Sequence, residues 1–181
     1  MTGRPRARGA TRGGGRGERL RVGVISDTHG LLRPEALRAL RGSDVVVHAG
    51  DIGGAEILDA LRAIAPVLAV RGNNDREPWA RSLPVEVALD LGGVPVAIVH
   101  DLNTLTPAAA EGAAVVVCGH SHQPRKEVVG GVLYFNPGSA GPRRFHLPIS
   151  VGRLDVVGGR VRATLIDLGA RRGRTVTSSR P

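Results

Sequence analysis

Residues 20–29, Leu20-Arg21-Val22-Gly23-Val24-Ile25-Ser26-Asp27-Thr28-His29, carry an apolar run that breaks within two residues onto an aspartate and then a histidine. A short run rich in β-branched residues reads as a buried strand. The same phrase recurs four times downstream. Val45–Ala49 runs into Asp51, Val67–Val70 into Asn73, Val96–Val99 into His100, and Val115–Cys118 into His120 and His122. The carboxyl ends of neighbouring strands meet along one edge of a sheet, where open α/β proteins bind ligands. Five such endings therefore imply one shared site, and aspartate, asparagine and histidine form the mixed oxygen/nitrogen set that suits a transition metal.

Between these strands the pattern switches to helical spacing. Pro34 opens a short helix with Leu37 and Leu40 on one face, and Gly42 closes it. The continuous apolar run 44–49 suits a strand buried on both faces. Ile57, Leu58, Leu61 and Ile64 give residues 54–64 an amphipathic helical face. A strand at 66–70 completes a β-α-β-α-β start, which implies parallel strands and right-handed crossovers. Then the pattern changes to hairpins: 85–91 with 94–99 across Gly92-Gly93, 127–129 with 132–135 across Gly130-Gly131, and 149–157 with 160–168 across Gly158-Gly159. A short helix near 106–112 and a strand at 114–118 lie between the first two. A parallel start joined to hairpins fits an α/β fold of two packed sheets with helices outside.

The 181 residues suffice for one domain with a sizeable core, placed at 20–168. The net charge of +9 belongs to the ends. Residues 1–19 hold six Arg and one Glu, residues 170–181 hold four Arg and no acid, and the part between is electrically neutral. The segments 1–19 and 169–181 read as disordered basic tails, able to attract nucleic acid only through weak, salt-dependent electrostatics. Four aromatic residues argue against a base-stacking surface. There is no apolar run near 18 residues, no signal-peptide apolar region, and a single cysteine, Cys118, which reads as a small buried apolar residue. The expected setting is the cytoplasm, away from membranes.

The candidate ligands are Asp27, His29, Asp51, Asn73, His100, His120 and His122. Gly30, Gly50, Gly72 and Gly119 stand next to them, and two residues of spacing puts His120 and His122 on one side of an extended segment. Seven ligands exceed one tetrahedral zinc and match two ions sharing a bridge; a single Cys disfavours structural zinc. Outside this set, His48 reads as a core histidine, compatible with touching a metal ligand. Asp75 buttresses a ligand histidine or turns its loop. Asn136-Pro137-Gly138-Ser139 reads as a turn, Arg143 and Arg144 as a solvated pair, and His146 as surface. Trp79 walls the site or only packs.

The ordered set Asp27-x-His29, Gly50-Asp51, Gly72-Asn73-x-Asp75, His100 and Gly119-His120-x-His122 resembles the calcineurin-like metallophosphoesterase superfamily over about residues 20–168. Asn136-Pro137-Gly138-Ser139 and the small size resemble its YfcE-type phosphodiesterase branch, to which the retromer metallophosphoesterase-like subunit is related. The resemblance implies a four-layer α-β-β-α sandwich of two mixed β-sheets flanked by helices. It implies one divalent ion on Asp27, His29, Asp51 and His122 and a second on Asp51, Asn73, His100 and His120, with manganese favoured and nickel, iron or zinc able to serve. It further implies hydrolysis of phosphodiesters by a hydroxide bridging the ions at roughly 3.5–4 Å spacing. Asp51, Asn73, Asn74 and His100 are the residues expected to carry catalysis. The partner implied is a small phosphoester; a homo-oligomer is compatible.

Two positions depart from the pattern. Asn74 stands where many relatives carry a histidine that protonates the leaving oxygen, and an amide is no general acid near neutral pH. Asp101 follows His100 where the family usually has glycine; its carboxylate touches the second metal, pairs with an arginine, or faces water. These departures keep a second expectation open, a non-catalytic metal-binding scaffold of the same fold. A nuclease, resting only on the basic tails, is the third.

Overall fold

In β1 (Arg19–Ile25) the side chains of Val22 and Val24 turn to one face and Ile25 to the other, and all three are fully buried, so this strand has structure packed on both sides. The computed structural model describes residues 19–169; the basic tails expected at 1–19 and 169–181 lie outside the described residues except for Arg19, which opens β1, and Gly169. From β1 the chain runs through α1 (Pro34–Leu40), β2 (Val45–His48), α2 (Ala55–Arg62) and β3 (Val67–Ala69). The β1/β2 and β2/β3 ladders are parallel, as the β-α-β-α-β reading requires.

Three hairpins or near-hairpins supply most of the rest. They are β4 (Glu86–Asp90) with β5 (Pro95–Val99), β7 (Arg125–Val129) with β8 (Val132–Asn136), and β9 (Ser150–Val157) with β10 (Arg160–Asp167). Each turns on its Gly-Gly pair with both residues at positive φ, 64° and 85° at Gly92-Gly93, the backbone a two-residue hairpin loop demands. Between the first two lie a 3-10 turn at Leu102–Thr104, α3 (Pro107–Ala110) and β6 (Val115–Val117). The helix expected near 106–112 is thus a single turn. Thr106 caps it, its hydroxyl accepting from the Ala109 N–H at 3.2 Å, and Gly112 follows it.

Two mixed five-stranded sheets result, ordered β10-β9-β1-β2-β3 and β4-β5-β6-β8-β7. The main core lies between them, built from Val22, Val24, Val47, Val96, Ile98, Val115, Val117, Phe135 and Leu154 among others. A second core sits outside the first sheet, where Ala36 and Leu40 of α1 and Ile57, Leu58 and Leu61 of α2 cover Ile25 and Val46. Gly23 permits the close approach of α1, since a Cβ there would lie 2.7 Å from Leu40 Cδ2. The fourth layer is thin: Leu102, Leu105 and Ala113 pack over Ala97 and Val116, joined by Val132 and Tyr134 of β8, and edge strand β7 is exposed along its whole length. Among the described residues no helix is long and apolar enough to cross a membrane.

His48, last in β2, is fully buried, and its Nε2 lies 2.9 Å from the Thr28 hydroxyl. That hydroxyl spends its proton on the Ile52 carbonyl at 2.8 Å, so His48 Nε2 must donate to it. Burial pushes the His48 pKa down to about 3. The unfolded chain binds this proton near pH 6.5 and the folded chain does not, so stability is intact above pH 6.5 and falls as pH drops through the window toward 3. The expected loss is about 1.4 kcal/mol per pH unit. Urea unfolding at pH 6 and pH 5 measures it, and His48→Gln should remove that part of the slope.

Candidate metal centre

The loops following β1, β2, β3, β5 and β6 gather at one edge of the two-sheet sandwich. Hydrogen bonds lock them together there: Asp27 N–H to Gly50 O at 3.0 Å, His29 N–H to Asp51 O at 3.0 Å, and Gly119 N–H to His100 O at 3.0 Å. All seven candidate ligands converge. Asp27 Oδ1 lies 3.2 Å from His122 Nε2 and 4.0 Å from His29 Nε2, and the two imidazole nitrogens are 3.3 Å apart. Asp51 Oδ2 lies 3.8 Å from His29 Nε2 and 3.4 Å from His100 Nε2. Asn73 Oδ1 faces His100 Nε2 at 3.2 Å and His120 Nδ1 at 3.0 Å. Asp51 therefore stands between two groups of nitrogens.

The donor set fits divalent metal. Asp27 Oδ1 is buried without a hydrogen-bond partner among the described residues, a costly state for an anionic oxygen unless a cation meets it. His100 Nδ1 lies 2.7 Å from the Ala49 carbonyl and must donate to it, which leaves Nε2 to point at the oxygens of Asp51 and Asn73. His100 is the same carboxyl-edge residue that makes Gly50 obligatory, since a Cβ on Gly50 would lie 2.7 Å from its ring.

Electrostatics follow from burial and neighbours. Burial works to raise the Asp51 carboxyl pKa, but contact with His100 and donation from Asn74 hold it well below the ordinary value. Burial works to lower that of His100, and Asp51, Asp27 and the Ala49 carbonyl raise it above the ordinary value. Burial lowers His29. A protonated imidazole must lose its proton before that nitrogen can hold a cation, so metal uptake is pH-dependent.

The sequence reading foresaw the supporting residues only in part. Asp75 turns its own loop, one of the two roles expected of it, and does not buttress a histidine. Its buried carboxylate accepts from Ile52 N–H at 2.8 Å, Gly53 N–H at 3.0 Å and Gly72 N–H at 2.9 Å, tying the Asp51 loop to the Asn73 loop. Asn136-Pro137-Gly138-Ser139 is more than a turn: Asn136 Nδ2 donates to Gly119 O at 2.7 Å and Ser139 Oγ to Asp27 O at 3.0 Å. Ser26 Oγ donates to Asp27 Oδ2 at 2.7 Å. Asp27, His29, Asp51, His120 and His122 all adopt positive φ, between 46° and 67°. Non-glycine residues seldom do so, and the strain is concentrated where the side chains must meet.

The two departures also find their places. Asn74 gives both its N–H (2.9 Å) and its side-chain amide (2.6 Å) to the Asp51 carboxylate. Asp101 caps the following 3-10 turn through the Asn103 N–H at 3.0 Å, with Oδ2 3.9 Å from His120 Nε2, beyond hydrogen-bond range. Trp79 packs against the outer core that α1 and α2 share with the first sheet, and the Cys118 thiol is buried, its pKa raised by burial to about 11.

Residues 20–159 match the calcineurin-like phosphoesterase superfamily domain. A probable metallophosphoesterase of Methanothermobacter thermautotrophicus is 35% identical over 162 residues, covering 82% of this chain and 93% of that one. Among solved structures, vacuolar protein sorting 29 of Cryptosporidium parvum superposes with a TM-score of 0.72 at 22% identity, covering 87% of this chain and 94% of its own. An archaeal phosphodiesterase superposes with 0.67 at 24% identity, covering 81% and 100%.

Proposed function

The chain belongs to the calcineurin-like phosphoesterase superfamily, and from that premise we propose that it is a binuclear metal-dependent phosphodiesterase. One observation carries the reading: Asp51 lies between two clusters of nitrogens and oxygens, Asp27, His29 and His122 on one side, Asn73, His100 and His120 on the other. Each cluster with Asp51 makes four potential ligands, the number that holds one divalent ion. Two such ions would supply Lewis acidity, bringing a water toward ionisation near neutral pH and offsetting charge on the phosphoryl oxygens. Manganese, nickel, iron or zinc suits this donor set.

The chain's own residues do the positioning. Asn74 orients Asp51, and its amide is no general acid near neutral pH, which favours diesters whose leaving oxygen needs no proton. His100 is fixed by Ala49, and Asp75 holds the loops in register. A cytoplasmic setting agrees with the single buried thiol.

After metal stripping, bis-p-nitrophenyl phosphate turnover should vanish and return with Mn²⁺ or Ni²⁺, and should exceed p-nitrophenyl phosphate turnover. The lack of a general acid at Asn74 favours a second reading, a metal-binding scaffold. Metal uptake with no ester turnover under any of these ions would establish the scaffold and sink the enzyme.

A further inference from the structure

A cavity of about 590 Å³ opens directly from the ligands Asn73, His100 and His120 and is walled by Arg71, Arg76 and Arg81. Its size suits a nucleotide-sized group. Among the described residues none of these three guanidinium groups has a carboxylate within ion-pair distance, whereas Arg38, Arg62 and Arg125 each pair with a neighbouring acid. Arg76 is held by one bond, Nε to Asn73 O at 3.1 Å, so its terminal nitrogens stay available beside a candidate ligand. Two carboxylates share the cavity. Asp75 is consumed by the backbone N–H groups of residues 52, 53 and 72, and Asp101 Oδ1 by Asn103. Three guanidinium groups against two carboxylates leave the pocket net cationic with donors to spare, suited to bidentate phosphate recognition.

Asn74 narrows the chemistry. An amide is no general acid near neutral pH and arginine does not give up protons, so a leaving oxygen that faces these groups departs as an anion. Phosphate, whose second ionisation is near pH 6, does this far more readily than an alkoxide.

Resting on the phosphoesterase reading, we propose that Arg71, Arg76 and Arg81 form a subsite for the departing phosphate of a substrate with a P–O–P linkage, such as a dinucleoside pyrophosphate. Water's oxygen bonds to the attacked phosphorus, and the bond from that phosphorus to the bridging oxygen breaks. Its electron pair goes to the departing phosphate in the arginine pocket, and water's two protons pass to solvent or to the product phosphates.

The test uses the full chain and three substrates: diadenosine 5′,5′-pyrophosphate, the p-nitrophenyl ester of thymidine 5′-phosphate, and bis-p-nitrophenyl phosphate. In the triple variant Arg71→Gln/Arg76→Gln/Arg81→Gln, kcat/KM for the pyrophosphate should fall at least 30-fold relative to that for the p-nitrophenyl diesters. The triple lysine variant should recover part of the ratio. Separately, calorimetry on metal-free protein should detect salt-sensitive binding of inorganic pyrophosphate, weakened at least tenfold by the glutamine variant. Equal losses on all three substrates, or pyrophosphate binding indifferent to the arginines, would overturn the subsite while leaving the phosphodiesterase standing. If the wild type cleaves none of the esters, the phosphodiesterase reading fails, and the calorimetric comparison alone decides whether the pocket binds pyrophosphate.

Discussion

Asp51→Asn should lower metal-dependent diester turnover on the order of 10³-fold and reduce bound divalent ions from two per chain to one or fewer. The size of the effect follows from position. Asp51 Oδ2 faces both His29 Nε2, at 3.8 Å, and His100 Nε2, at 3.4 Å, which places it to span the two clusters. Asparagine keeps the shape and loses the charge. It also mismatches Asn74, which donates to both carboxylate oxygens: whichever way the new amide is turned, one donor meets another. Elemental analysis gives the ion count, and steady-state kinetics with saturating Mn²⁺ gives the turnover. Two ions retained with turnover within tenfold of wild type would show that the bridge lies elsewhere.

The second large effect is on stability. Asp75→Ala should destabilise the protein by about 4 kcal/mol, because it strips the partner from three backbone N–H groups in the loops of Asp51 and Asn73. The carboxylate is almost fully buried, 2% exposed, so water cannot readily replace it. These loops have no slack. A Cβ on Gly72 would collide with the backbone nitrogen and Oδ1 of Asp51, which shows how closely the two segments approach. Urea unfolding of metal-free protein isolates the stability term, and titration of Mn²⁺ then reports how far the ligands have moved apart. Asp75→Asn should fall between wild type and alanine, since its one carbonyl oxygen still accepts. A change below about 1 kcal/mol in the alanine variant would mean that the loops are held by their ligands and not by Asp75.

The ligand loops were legible before the fold because strand termini are punctuated in a consistent way. Val22–Ile25, Val45–Ala49 and their three counterparts are strong apolar signals, and each ends on a residue that a strand interior would not tolerate. The hairpins were equally plain, since a Gly-Gly pair between alternating strands leaves few other conformations. Three things were not legible. The positive φ at five candidate ligand residues is a property of how loops are forced together, signalled only weakly by residue types such as Asp27 and His122 that tolerate it better than most. The role of Asp75 depends on N–H groups more than twenty residues away at Ile52 and Gly53. The reach of Asn136 to Gly119 likewise depends on β8 lying beside β6.

The charge of the chain shows the same division. Composition located the excess of arginine at the two ends, because charge sums over sequence. It could not reveal that Arg71, Arg76 and Arg81, from a strand end, a loop and a 3-10 turn, wall one cavity with three candidate ligands. The sequence by itself determined the strand order of chemistry: which residue types stand at which strand ends, and hence that a metal-dependent phosphoester site is the natural reading. The tertiary structure alone decided which atoms share a point in space, that Asn74 is bound to Asp51, and that Asp101 caps a turn. Local patterning is written in neighbours along the chain, whereas the orientation of a carboxylate is set by hydrogen-bond donors that only folding brings within 3 Å.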